Sequence, residues 1–220
     1  MTSWLVFGAD LTDQWSLILN GLAATLKLAI TISISGFLLG IFVFYLTTSK
    51  NSWVQRVTRA YISFFIGMPL IVLLFAMYYG APQLGIKLSP FVVAAIGFTL
   101  NVAAYNAAYL MTAYNGLDHS ELEAGRAQGF SGRQVFSLIT LPQVLRTSVP
   151  PLTNQVINNL KDSSVAFLIQ YVEFFARVQE LASTNFLFFN AYLFAALVYL
   201  ALVSVIVLAA RSLQKRFVLL

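Results

Sequence analysis

The sequence predicts an all-α, membrane-embedded fold with five spanning helices and one cytoplasmic helix-turn-helix loop. Three observations predict it: a composition too apolar for a soluble core, apolar runs of spanning length, and basic residues concentrated in alternate loops. Of the 220 residues, 59% are hydrophobic and only 10% charged, and the mean hydropathy is +0.80, beyond what a soluble domain of this length carries. Cysteine is absent, which excludes a disulfide framework and any Cys-based metal site. Residues 1–14 hold Asp10 and Asp13 but no basic side chain, which argues against a cleavable signal peptide with a positive leading region.

Four runs reach the roughly 20 residues needed to cross about 30 Å of hydrocarbon: 22–46, 60–79, 91–117 and 191–210. A fifth, 151–171, is interrupted by Lys161 and Asp162. It is counted as a span because otherwise the basic residues after 210 would face away from the other basic clusters. With five spans, Lys50, Arg56, Arg59, Arg126, Arg133, Arg146, Arg211, Lys215 and Arg216 share one side, and the opposite loops carry only Lys87 and Arg177. The positive-inside rule then places the N-terminus outside, the C-terminus in the cytoplasm and the loop 118–146 in the cytoplasm. The net charge of +5 is explained by this topology, and no nucleic-acid partner is expected.

Each span has its own signature. The first holds Gly36 and Gly40, a Gly-x-x-x-Gly spacing that lets helix backbones approach closely, more often within one chain than between two; its Lys27 lies near the outer end and can snorkel. Pro69 should kink the second span and turn that face inward, because a freed carbonyl at membrane depth needs protein or water beside it. On the third, Asn101, Tyr105 and Ala108 share a helical face, with Asn106 and Asn115 nearby. The fourth carries Asn154, Gln155, Asn158, Asn159, Lys161, Asp162, Ser163 and Ser164. A charge at mid-span costs on the order of 3 kcal/mol, so Lys161 and Asp162 must face a cavity, a bundle interior or an interface. A solute pathway and a polar helix seam with the two charges paired are both open on the residues alone.

The loop 120–142 reads helix, turn, helix, stop. Ser120 with Glu123 and Ser131 with Gln134 are capping-box spacings, Gly129 supplies the turn, and Pro142 cannot continue a preceding helix. Glu123-Ala124-Gly125 with Gly129, and Ile139-Thr140-Leu141-Pro142 after nine intervening residues, resemble the E-A-A-x-x-x-G loop of ABC importer permeases. Gly125 stands where that motif has its second Ala, a loss of about 1 kcal/mol of helix propensity. The resemblance implies that Glu121, Glu123, Ala124, Gly125, Arg126, Gly129, Leu141 and Pro142 dock on a separate ATPase subunit and couple its motion to the spans.

Further matches cover nearly the whole chain and are similar to one branch, the polar amino acid permeases of the histidine, arginine, glutamine and cystine type. They are Gly21-Leu22 with Thr25-Leu26, Gly67-Met68-Pro69-Leu70, Tyr78-Tyr79-Gly80, Ala104-Tyr105, Pro150-Pro151-Leu152-Thr153-Asn154, and Leu160-Lys161-Asp162-Ser163-Ser164. The resemblance implies a type I importer permease as a single domain over 1–220, resident in the bacterial inner membrane. Its solute pathway is expected to involve Asn101, Tyr105, Ala108, Asn158, Lys161, Asp162 and Ser163. Members commonly carry Arg at the position of Ile66, and Glu and Arg at those of Ala108 and Met111. Their loss implies either the less active half of a heterodimer or a site for a neutral solute.

Five spans with one docking loop cannot form an alternating-access pathway alone, and no internal repeat supplies the other half, so a second permease subunit is expected. An extracytoplasmic solute-binding protein follows from the resemblance. No Gly is followed by Lys, so there is no P-loop, and the chain is expected to bind no cofactor and to leave ATP to its partner. A secondary transporter would show repeats and its own coupling carboxylates. A membrane enzyme would need reactive groups, yet His119 stands alone at the loop entry. A passive structural subunit is the remaining alternative.

Overall fold

Apolar runs free of proline and acid form the longest helices of the computed structural model, which describes residues 2–118 and 120–218. His119 and the side chains of Lys215 and Arg216 lie outside the described ones. After a short N-terminal α1 (Thr2–Asp13) come α2 (Trp15–Thr47), α3 (Ser52–Gly67) and α4 (Leu70–Phe75), then α5 (Pro90–Asn115). The loop contributes α6 (Ser120–Ala127) and α7 (Gly132–Gln134), and α8 (Leu141–Asp162), α9 (Phe174–Asn185) and α10 (Phe188–Val218) follow. Among the described residues α2, α5 and α10 are each long and apolar enough to cross a membrane, and α3 with the segment Leu70–Leu84 passes as one bent pair.

Helix α5 is the central one, buried along much of its length. The Gly spacing of the first span is used against it. A Cβ on Gly36 would lie 2.5 Å from Val102 Cγ1, and one on Gly40 2.7 Å from Asn106 Cβ. On the far side of α5, Gly97 admits the Leu74 methyl, which a Cβ would meet at 2.7 Å. The Gly-x-x-x-Gly therefore serves a seam within the chain. Lys27 Nζ stands 4.5 Å from the centre of the Phe91 ring, a cation–π contact that joins α2 to the start of α5.

The second span differs from a kinked helix. It breaks by 99° between α3 and α4, with Met68 and Pro69 both extended (ψ 129° and 128°). The residue before a proline is pushed out of the α region, and Met68, C-terminal to Gly67, takes that conformation. Past α4 the backbone widens into a π-helical turn, Ala76–Gly80, and then tightens into a 3₁₀ turn, Ala81–Leu84.

Pro142 does not stop its helix. It sits in the first turn of α8, which continues a π-helical turn over Val135–Thr140. In a regular α-helix its ring would press on the Leu138 carbonyl; that carbonyl lies in the wider π turn, so the chain runs on from α7 into α8. Pro150 and Pro151 are carried inside α8. After Asp162 the chain tightens into a 3₁₀ segment, Ser163–Ile169.

At the end opposite the loop, Glu173 is fully buried and caps α9. Its carboxylate accepts from the N–H groups of Phe175 (2.9 Å) and Ala176 (2.8 Å), and from the hydroxyls of Thr25 (3.0 Å) and Tyr199 (3.3 Å). Thr25 Oγ1 in turn accepts from Phe174 N (3.0 Å). One acid thus fastens α2, α9 and α10, and Gly21 lets Arg177 and the Glu173 backbone close in, since a Cβ there would lie 2.9 Å from Arg177 Cγ.

Candidate functional site

Two places hold the residues singled out by sequence. The first is the loop. Helix α6 carries Glu121 and Glu123 in its first turn and Arg126 in its last, which complements the helix dipole. It buries Leu122 and Gly125 and leaves Glu121, Glu123, Ala124 and Arg126 exposed. Gly129 adopts φ 86°, a left-handed conformation that needs glycine, and Phe130 N–H returns to the Gly125 carbonyl (3.1 Å). Ser131 and Gln134 form the expected capping box. The Ser120 box differs: Ser120 lies inside α6, and its N–H is taken by Asp118 Oδ1 at 2.9 Å.

The loop is braced against α8 by Gln143 Nε2, which donates to Glu121 (2.6 Å). Pro142 is exposed beside it and Leu141 half-buried. Gly125, read from sequence as a loss of helix propensity, has a packing reason. A Cβ there would lie 2.5 Å from Ile139 Cδ1, so the residue that opens the Ile-Thr-Leu-Pro motif occupies the missing methyl's space. The surface left outward, two acids and one arginine on a short helix, can seat in a groove of another protein.

The second place is an open polar pocket of about 410 Å³ at the break of the second span. Asn101, Tyr105, Asn158 and Asp162, four of the seven expected pathway residues, line it together. Pro69 lines it too, with Ile66 and the rest of the break. Asn101 Nδ2 of α5 donates to the carbonyl of Phe65 (2.7 Å) and the Tyr61 hydroxyl of α3 donates to that of Leu100 (2.7 Å), so α3 before the break is tied to α5 by one bond in each direction. Ala108, Lys161 and Ser163 do not line the pocket. Ser163 is buried and bonds the Leu160 carbonyl (2.7 Å), while Lys161 is exposed and makes no ion pair with Asp162 among the described residues.

Sequence reasoning missed Tyr109, which continues the Asn101–Tyr105 row one turn further and lines the pocket. Gln155 lines it as well and donates to Asn159 Oδ1 (2.9 Å), whose amide donates to Ser33 on α2 (3.0 Å). Glu173 was also missed; an acid two residues past the end of an expected span reads as an ordinary interfacial charge. The polar residues of α8 therefore divide between a pocket wall and a structural seam.

Comparison with known proteins identifies the family. Residues 36–218 match the family model described as binding-protein-dependent transport system inner membrane component. The chain is 31% identical to the probable amino-acid ABC transporter permease protein YckA of Bacillus subtilis (strain 168), covering 93% of this chain and 91% of that one. It is 34% identical to the probable amino-acid ABC transporter permease protein PatM of Vibrio harveyi, covering 86% of each. The fold is similar to that of a crystal structure of an amino acid ABC transporter with histidines, with a TM-score of 0.85 at 24% identity over 94% of this chain and 96% of that one. By its helical architecture and by these matches the chain belongs to the ABC importer permease family, the inner-membrane components of binding-protein-dependent transport systems.

Proposed function

We propose that this chain is one of two permease subunits of an ATP-driven importer for an amino acid or similar small polar solute. The observation that carries the reading is the polar face of α8. Asn154, Lys161 and Asp162 are exposed on the single chain beside helices whose outer surfaces are apolar. Facing lipid, each charge would cost on the order of 3 kcal/mol; a second permease subunit covers that face and closes the pocket of Asn101, Tyr105, Asn158 and Asp162 into a pathway. The names of the relatives, amino-acid permeases among them, support the solute class. Ile66 at the pocket wall, in place of the usual arginine, favours a heterodimer whose partner supplies the charges.

In this reading the exposed acids and arginine of α6 dock on an ATPase subunit in the cytoplasm. Closure of two ATPase subunits drives the loop, which the Glu121–Gln143 bond and the continuous α7–α8 course tie to the pocket helix. The pathway then opens outward to a solute-binding protein and reverses after hydrolysis. Five crossings, 22–46, 60–79, 91–117, 151–171 and 191–210, with the N-terminus outside, complete the topology.

The test is uptake into vesicles holding the ATPase, both permeases and the binding protein, with this chain present, omitted, or carrying Glu123→Arg. ATP-dependent uptake should require the chain, and the charge reversal should abolish coupling. Uptake that persists without the chain would identify a passive subunit. In the same membranes a cysteine at Ser89 or Ser183 should label from outside and one at Ser131 or Ser212 only from the cytoplasm.

A further inference from the structure

Beside α6 lies a larger crevice, about 910 Å³, that shares Arg126 with the proposed ATPase contact and is otherwise explained by neither that contact nor the pathway. It opens between the end of α2 and the α6–α7 turn, and its polar rim carries Lys50, Arg126 and Arg133. Among the described residues no carboxylate lines it and none of the three cations has an ion-pair partner. Its inner wall is apolar, from Leu46, Leu122 and Phe136. That wall is braced: the Phe136 ring packs 4.7 Å from Tyr45 and 5.6 Å from Phe44. A cationic rim over an apolar floor fits an amphiphile with an anionic head.

The depth is as informative as the charge. The crevice begins where the apolar run 22–46 gives way to Lys50, and it includes Tyr45 and Tyr114 near the ends of two spans. Tyrosines of this kind mark the headgroup level of a bilayer. With the loop in the cytoplasm, the orientation on which this inference rests, that level is the anionic inner leaflet.

We propose that this crevice binds the phosphate headgroup of an anionic phospholipid. Arg126 and Arg133 offer planar donors suited to phosphate oxygens, with Lys50 just past the end of α2 as a point charge, and the glycerol and upper acyl chain rest on Leu46 and Phe136. The lipid bridges the end of α2 to the docking helix, so the seating of α6 responds to the charge of the membrane. A soluble anion would gain the cations but would leave the apolar floor bare.

The test uses the full chain, alone and with its ATPase, in nanodiscs mixing phosphatidylcholine and phosphatidylglycerol, and reads retained lipid per protein by native mass spectrometry. Wild type should retain phosphatidylglycerol in preference. Lys50→Gln with Arg133→Gln should reduce that preference by about fivefold for each cation removed, roughly 25-fold for both. Lys50→Arg with Arg133→Lys keeps the charge and should keep the preference, which separates a headgroup site from a folding defect. An unchanged preference in the glutamine pair overturns the proposal. So does release of the lipid by inorganic phosphate, which would assign the cations to a soluble anion, or by ATPase binding, which would assign them to that interface. ATPase co-purification is read from the same samples; its absence with lipid retained strikes the docking reading and leaves the lipid site standing.

Discussion

Gly125 and Ile139 share one volume: a Cβ on Gly125 would come within 2.5 Å of the Ile139 Cδ1 methyl. The two residues belong to the two halves of the loop 118–146, so their fit sets how closely α6 lies on the turn that leads into α8. Gly125→Ala would gain about 1 kcal/mol of helix propensity, but overpacking a buried contact costs roughly 1–3 kcal/mol. The clashing atom is the end of a flexible side chain, which favours the low end of that range. We expect a net loss of up to about 1 kcal/mol for Gly125→Ala, recovered when Ile139→Val is added. Thermal melts of both variants in detergent measure it, and a Gly125→Ala protein as stable as wild type would show that Ile139 turns aside without cost.

Glu173 gives the sharpest stability prediction. Glu173→Ala would leave buried donors on Thr25, Phe175 and Ala176 without an acceptor, each costing about 1–3 kcal/mol, and would remove the cap of α9. A drop of roughly 3 kcal/mol or more is expected, read as a large fall in melting temperature.

The same carboxyl should make the fold sensitive to pH. Burial pushes it above the usual carboxylate value, against the opposing pull of the Phe175 and Ala176 N–H groups and the Thr25 and Tyr199 hydroxyls. A raised value means the folded chain holds this proton more tightly than the unfolded chain. Its contribution is therefore full below the ordinary carboxylate value and declines as pH rises through the raised one. Melting temperature followed from acid to neutral pH should fall for this reason in wild type, and this component should be absent from Glu173→Gln. Parallel curves for the two proteins would show that the carboxyl stays ionised throughout.

Gly36→Leu tests the seam between α2 and α5. The side chain would have to enter space held by Val102 Cγ1 and Cβ, 2.5 and 2.8 Å from the new Cβ, so the chain should fail to fold or melt far lower. A well-folded variant that had only lost its partner subunit would return the Gly spacing to an intermolecular role.

That seam shows how far the sequence could be read. Small residues four apart announce a close helix contact, but the partner, Val102 and Asn106, lies some sixty residues away and leaves no local trace. Gly129 and the Ser131–Gln134 box were legible because φ and capping are decided within a few residues. The Met68–Pro69 break was legible as a place and not as an angle, since the 99° depends on how α4 settles on Gly97 of α5. Pro142 read as a stop because proline rules assume a regular α-helix, and the π turn before it lifts that assumption. The fourth segment's polar residues were visible, but their division between pocket and seam was fixed only by where Ser33 of α2 meets Asn159.

The pathway itself is tested through its two adjacent charges. Asp162 lines the pocket with Asn101, Tyr105 and Asn158, whereas Lys161 does not line it and makes no ion pair among the described residues. If the solute brings an ammonium group, a hydrogen bond to a charged partner is worth about 1.5–3 kcal/mol, so Asp162→Asn should raise the transport KM by roughly 10- to 100-fold, while Lys161→Gln should act on subunit assembly. Ala108→Glu places a carboxylate beside the same α5 row. In a chain that only completes its partner's site, that desolvated charge should impair assembly or uptake. Uptake of several amino acids by each variant at matched membrane levels decides the matter. A harmless Asp162→Asn with a damaging Ala108→Glu would place the solute's contacts on the second subunit, and the reverse would place them here.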